Sequence, residues 1–349
     1  MTNDEQLPLD ELHQRARTDP DNVPIGPILN ALESGDDADR DRAMSILYLI
    51  SKSTPERVTD TVPVISSLLE SDRPTVRTKA ALVMEKVGSV RPDALTPYLD
   101  AVLDCLTDRS ATVRQSAAGV VRQIAAADPS VVTMAVPQLL PLLDSDIEST
   151  TVDAVTVIEA IAEEEPSMAM TAIEPLLTLI GDSDESLPDI TYDPNMSVER
   201  SLPAEQMRGY QTLVEDAGER SSSVRAREGA VTTIARLADA DPENTTERLE
   251  PHLPLLFAQL DNPNPTIRAA VVGIVANVAA ISPAALEPIE AVLIELLDDS
   301  FAVSAGVVWA LAHMETDRSD AVLEELIADP ETEVPLRRTA ETALRDFAE

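Results

Sequence analysis

Apolar residues recur along this chain at helical spacing in short blocks, and the blocks themselves repeat. One block places Val76, Ala80, Val83 and Val87 on one side of a helix, and the next does the same with Val113, Ala117, Val120 and Ile124. Each block opens on an apolar residue followed by Arg: Val76-Arg77, Val113-Arg114 and Ile267-Arg268. The Arg positions 40, 77 and 114 are 37 apart, and Thr151 holds the next place in the series. Ahead of each block lies a Leu-rich run with an early proline, such as VPVISSLL at 62–69, VPQLLPLL at 136–143 and LEPHLPLLFAQL at 249–260. Proline suits a first helical turn, where its missing N–H has no intrahelical partner. Pro141 sits deeper and is expected to bend its helix or delay its start. Between the two runs stand turn sequences such as ESDRP at 70–74, TDRSA at 107–111 and DNPNP at 261–265, whose side-chain oxygens suit N-caps.

The pattern predicts an all-α fold, an α-solenoid of about eight stacked antiparallel helix pairs, because a fixed period marks a stacked repeat. The pairs begin near residues 23, 55, 92, 129, 166, 241, 282 and 317. Residues 1–22 read as an N-terminal capping helix with Leu7, Leu9 and Leu12 on its apolar side. Residues 23–182 carry the first four repeats and the first helix of the fifth, and 223–349 carry its second helix and the last three repeats. The segment 183–222 between them is acidic, contains Pro188, Pro194 and Pro203, and reads as an inserted loop, with a short helix available at 202–217.

The early proline, the turn aspartates Asp72, Asp108 and Asp146, and the Val-Arg pair together resemble the HEAT repeat, over almost the whole chain after residue 22. The resemblance implies a right-handed solenoid whose second helices line the concave side. It also implies an inter-repeat ladder from the turn Asp to the helix Arg, here Asp72, Arg77, Asp108, Arg114, Arg227 and Arg268. Arg40 and Arg337 hold the same place, whereas Thr151 and Ser304 should break the ladder. The 37-residue period is shorter than the usual ~40–47 and leaves open a short subtype, such as the repeats of phycobilin lyases.

Composition narrows the function. Aromatics are 2% of the chain against 44% hydrophobic residues, so the core is built from Ala, Val, Leu and Ile. With 63 acidic and 26 basic residues the net charge is −37, and only Lys52, Lys79 and Lys86 are lysines. Such a surface resembles the proteins of salt-loving microbes and suggests a halophilic archaeal source, since dense carboxylates keep a protein hydrated in concentrated salt. Binding to nucleic acid is disfavoured, because that affinity needs Lys and Arg to neutralise phosphates. A lone Cys105 excludes an intramolecular disulfide. No signal pattern opens the chain and no apolar run is long enough for a membrane span, so a cytoplasmic monomer is expected.

Catalysis finds little support. The histidines His13, His252 and His313 lie in different units, and no HExxH, CxxC or Gly-rich phosphate loop is present. Asp182, Asp184, Glu185 and Asp189 match no calcium-loop spacing and read as solvated surface. No catalytic residue, metal or cofactor is therefore expected. The expected function is that of a protein-binding scaffold using the concave face. Five and nine residues past the Arg position, two rows of side chains leave the repeat's core, and Trp309 and His313 stand out in them. Arg42, Lys79, Lys86, Arg122 and Arg236 add basic residues to the second helices, and Asn277 shares the row of Lys86 and Arg236. The alternatives are an accessory factor of the phycobilin-lyase type and a chromosome-associated HEAT subunit.

Overall fold

The structure is a computed structural model that describes residues 7–181 and 204–348. Every regular element among them is helical. The chain forms two compact units, Met1–Ala169 and Met170–Glu349.

The first unit starts with α1 (Leu9–Thr18), which packs against α2 (Asp37–Ser53), the second helix of the first pair. The second helices α3 (Pro74–Gly88), α4 (Ala111–Ala127) and α5 (Glu148–Glu164) follow, each packed on the one before. In the other unit the second helices are α6 (Ala204–Ala240), α7 (Pro265–Ile281), α8 (Phe301–Met314) and α9 (Val334–Ala348), again packed in succession. The first helices are short and broken. That of the fourth pair runs as a 3-10 turn (Pro129–Ala135), four α residues (Val136–Leu139) and a second 3-10 stretch (Leu140–Asp144). Pro129, Pro137 and Pro141 remove donors along it, so no long i→i−4 ladder can form. Pro141 lies in the final 3-10 stretch, which is where the α-helix gives way.

One burial pattern repeats through the second helices. Counted from the Arg position, residues at −1, +3, +4, +6, +7, +10 and +11 are buried. In α3 these are Val76, Ala80, Ala81, Val83, Met84, Val87 and Gly88, and in α7 Ile267, Val271, Val272, Ile274, Val275, Val278 and Ala279. Such a stripe is wider than a surface helix needs, because each second helix is covered by its own first helix and by its neighbours in the stack. Burying each aliphatic side chain contributes roughly 1.5–3 kcal/mol, and small Ala and Gly positions let the helices approach closely. In α9, Ala340 and Ala343 are buried but the +4 position, Glu341, is exposed, as befits the last helix of a stack.

The expected loop at 183–222 is corrected in its second half. From Ala204 the backbone is helical without interruption to Ala240, 37 residues in all. Pro188, Pro194 and Pro203 all precede this helix, and no proline follows until Pro242, so nothing stops the turn from propagating. Residues 183–203, with Asp184, Glu185 and Asp189, lie outside the described residues, as does Asp182.

Candidate functional site

The Arg at the start of the second helix is bound in two directions. Arg77 donates from Nη1 to the Ser71 carbonyl of its own turn (2.8 Å) and forks forward to Asp108 of the next repeat, at 2.7 and 3.2 Å. Arg268 repeats this with the Asn262 carbonyl (2.7 Å) and with Asp299 at 2.7 and 2.8 Å. The Arg268 hydrogen bond, helped by the Ser300 N–H, holds the Asp299 carboxyl down at about 2. Burial pulls Asp108 upward, but Arg77 and the Ser110 N–H outweigh it and leave its carboxyl below the usual range.

Each rung spans 31 residues, and this offset explains where the ladder closes. The residue 31 past Arg40 is Ser71, and that 31 past Arg114 is Ser145. With no carboxylate there, Arg40 donates from Nε to the Leu32 carbonyl (3.1 Å) and Arg114 to the Asp108 carbonyl of its own turn (2.9 Å). Asp72 is not in the ladder as expected. It is exposed, and the turn position six before the Arg is Ser71, whose Oγ accepts from the Arg73 N–H (3.3 Å). Asp146 is likewise exposed, one residue beyond Ser145, which caps Ile147 at 3.2 Å. Asp299 was missed by sequence reasoning, although the 31-residue offset from Arg268 marks it. Arg227 is half-buried at the matching register of α6. Thr151 and Ser304, at the Arg register of α5 and α8, turn their hydroxyls to the Leu142 and Phe301 carbonyls (both 3.3 Å).

The residues expected to bind a partner lie on the outward side of the second helices, between the buried stripes, but they are not a free basic stripe. Arg42 pairs with Asp10 of α1. Lys79 binds Asp41 (2.9 Å) and Ser45 Oγ (2.8 Å) on α2. Arg122 binds Asp153 of α5 at 2.6 Å, and Lys86 meets Glu85 beside it at 3.4 Å. Asn277 donates to Asp239 of α6 at 2.7 Å, and Arg236 and His313 are engaged as well. In a chain with so many carboxylates, Arg42, Lys79, Lys86 and Arg122 are each met by one, and sequence reading alone could not show the pairing. Lys79 also holds Asp41 below its ordinary value, against the opposing effect of burial.

The face in the second unit is different. On α7 it consists of Ala269, Ala270, Gly273, Ala276 and Asn277, and on α8 of Ala305, Gly306, Trp309 and His313, all half-buried. A Cβ placed on Gly273 would meet no atom within 4 Å, whereas one on Gly306 would press on Val272 at 2.8 Å. Close helix packing at Gly306 thus adjoins open space at Gly273, and Trp309 stands one turn along from Gly306. Burial lowers the His313 pKa, so it is neutral at physiological pH and suited to hydrogen bonding rather than charge pairing.

Among the described residues no group of three His, Cys, Asp or Glu side chains could hold a metal ion, and no helix is long and apolar enough to cross a membrane. Cys105 is buried, and burial pushes its thiol up to about 11, which leaves it protonated and unreactive.

Residues 253–345 match the HEAT-repeat family, and residues 42–184 match the family of non-SMC mitotic condensation complex subunit 1. No curated protein matches the chain. Among solved structures, an engineered protein aligns with TM-score 0.63 at 18% identity, over 98% of this chain and 84% of the other. A chain from a structure on the phosphorylation-controlled interaction between cadherin and beta-catenin aligns with TM-score 0.64 at 15% identity, over 92% of this chain and 61% of that one. A computationally designed armadillo-repeat protein for modular peptide recognition aligns with TM-score 0.48 at 19% identity, over 81% and 98%. At these identities the structural likenesses show the fold alone. The chain has an all-α solenoid fold, and its residues 253–345 carry the HEAT-repeat match.

Proposed function

We propose that this protein is a non-catalytic scaffold that binds a protein partner on the outward face of its second helices, centred on Trp309 in the second unit. The observation that carries the reading is the half-buried Trp309 on a face otherwise made of Ala, Gly, Asn277 and His313, with open space over Gly273. A surface of small aliphatic residues with one large aromatic and two polar groups has the make-up of a binding hot spot rather than of a solvated face. The paired cations of the first unit serve as ties between its helices. The acidic exterior keeps the chain dissolved in concentrated salt, in keeping with a halophilic cytoplasm. The test is a photo-crosslinking amino acid placed at Ala305 or at Leu82 in the full chain, applied to extract of the source cells at its native salt. Crosslinking at 305 to a defined protein, competed by the unmodified chain but not by Trp309→Ala, supports the assignment. Equal competition by Trp309→Ala contradicts it.

The match of residues 42–184 to a condensation-complex subunit favours a second, narrower reading, in which the partner belongs to a chromosome-organising assembly. The chain's net charge of −37 makes protein contacts, not DNA contacts, its route into such an assembly. Co-purification of condensation-complex subunits with the tagged chain, insensitive to nuclease, is the expected result. Their absence from a complex that does form at Trp309 removes this narrower reading and leaves the broader one standing.

A further inference from the structure

The open rung at Arg40 coincides with a cavity. The cavity measures about 760 Å³ and is lined by Arg40 and Ser71, with an aliphatic wall from Leu32, Val64 and Leu68. At the equivalent registers, Arg77 and Arg268 grip a carboxylate and their side chains are 15% and 18% exposed. Arg40 is 40% exposed, its Nη1 stands 3.8 Å from Asp37, beyond hydrogen-bond range, and Ser71 occupies the place of the missing Asp. Arg40 Nε is held by the Leu32 carbonyl (3.1 Å), so the repeat presents the terminal Nη1 and Nη2 donors of the guanidinium beside a cavity and an aliphatic wall.

We infer that this cavity binds an aspartate side chain of a partner peptide, which completes the rung at Arg40 while an adjacent aliphatic residue seats on Leu32, Val64 and Leu68. The two terminal nitrogens of a guanidinium form a fork that matches a single carboxylate end-on, and the closed rungs show an Arg at the same helix register gripping one, there through Nε and Nη2. Glu33, Asp37, Glu70 and Asp72 also line the cavity, with Arg73 as a second cation, but acidic neighbours do not prevent the pairing: the Arg77 rung closes near Asp72, and the Arg268 rung near Asp261. They select instead for one carboxylate over a polyanion. The site lies at the turns of the first two repeats, uses no residue of the Trp309 face, and stands or falls separately from it.

Methyl NMR of the Leu- and Val-labelled full chain tests the site, using three probes: N-acetyl-Leu-Asp-amide, N-acetyl-Leu-Asn-amide and N-acetyl-Leu-Leu with a free C-terminus. Saturable shifts at Leu32, Val64 and Leu68 are expected with the Asp probe, at least tenfold weaker with the Asn probe and weaker with the free C-terminus. Arg40→Gln should abolish them. Ser71→Asp should abolish them too, because it supplies the carboxylate internally, and it should raise the melting temperature by about 2–4 °C. Ser145→Asp, which offers a carboxylate to Arg114 away from the cavity, should leave binding intact. Equal binding of the Asp and Asn probes, preference for the free C-terminus, shifts that survive Arg40→Gln or Ser71→Asp, or no shift with any probe would each overturn the assignment.

Discussion

The same five registers of the second helix read very differently in the two units. In α3 the positions +1, +2, +5, +8 and +9 are Thr78, Lys79, Leu82, Glu85 and Lys86, and in α7 they are Ala269, Ala270, Gly273, Ala276 and Asn277. In the first unit these positions tie helix to helix through ions, as Lys79 does to Asp41 and Arg122 to Asp153. On α7 all but Asn277 are Ala or Gly, and the helix that follows sets Trp309 and His313 among them. Stacking does not require either choice, since the buried stripe is alike in both. The repeat determines the core and leaves the outward registers free. A solvated, internally paired face and an aliphatic face with one Trp are two uses of that freedom.

The largest expected difference between the faces is in partner binding. Trp309→Ala should weaken it by about 2 kcal/mol or more, some 30-fold, whereas Lys86→Ala should change it less than threefold. Titration of the crosslinked partner against each variant measures both, and similar losses would erase the contrast.

The rungs come next. Arg268→Ala leaves Asp299 largely buried without its partner and should cost about 2–3 kcal/mol in denaturant unfolding. Lys79→Ala, on a more exposed pair with Asp41, should cost less than about 1 kcal/mol. The Asp299 rung also carries a pH signature. Its carboxyl is depressed to about 2 in the folded chain, so the rung's stabilisation is complete above the ordinary Asp value near 4. It fades as pH falls toward 2. The wild type should lose more stability across that window than Asp299→Asn does, and parallel curves would contradict the rung. The smallest effect is at Cys105, where burial keeps the thiol near 11: a maleimide at neutral pH should label the folded chain far more slowly than the unfolded one.

Much of the fold was legible because apolar spacing is a local property. Val76, Ala80, Val83 and Val87 announce their helix and its buried side without reference to any other part of the chain. The helix Ala204–Ala240 was legible only in part: a short helix was available at 202–217, but residues 218–223, GERSSS, hold no apolar side chain to carry the pattern on to Ala226. The ladder was legible only by half. Arg77, Arg268 and the turn residue Asp108 stand out by their repeat, but the acceptor Asp299 is fixed by an offset that no single repeat displays, and the same offset excludes Asp72. The face residues were the least legible. Arg42, Lys79 and Arg122 look like available charge in the sequence, and only three-dimensional packing brings Asp10, Asp41 and Asp153 against them.

Trp309 is the chain's only tryptophan, so its fluorescence reports directly on the proposed face. Acrylamide should quench it in the free protein and quench it at least threefold less once the partner captured at position 305 is bound, with the emission shifted to the blue. A partner that binds while quenching and emission stay unchanged would place recognition elsewhere and contradict the assignment of this face.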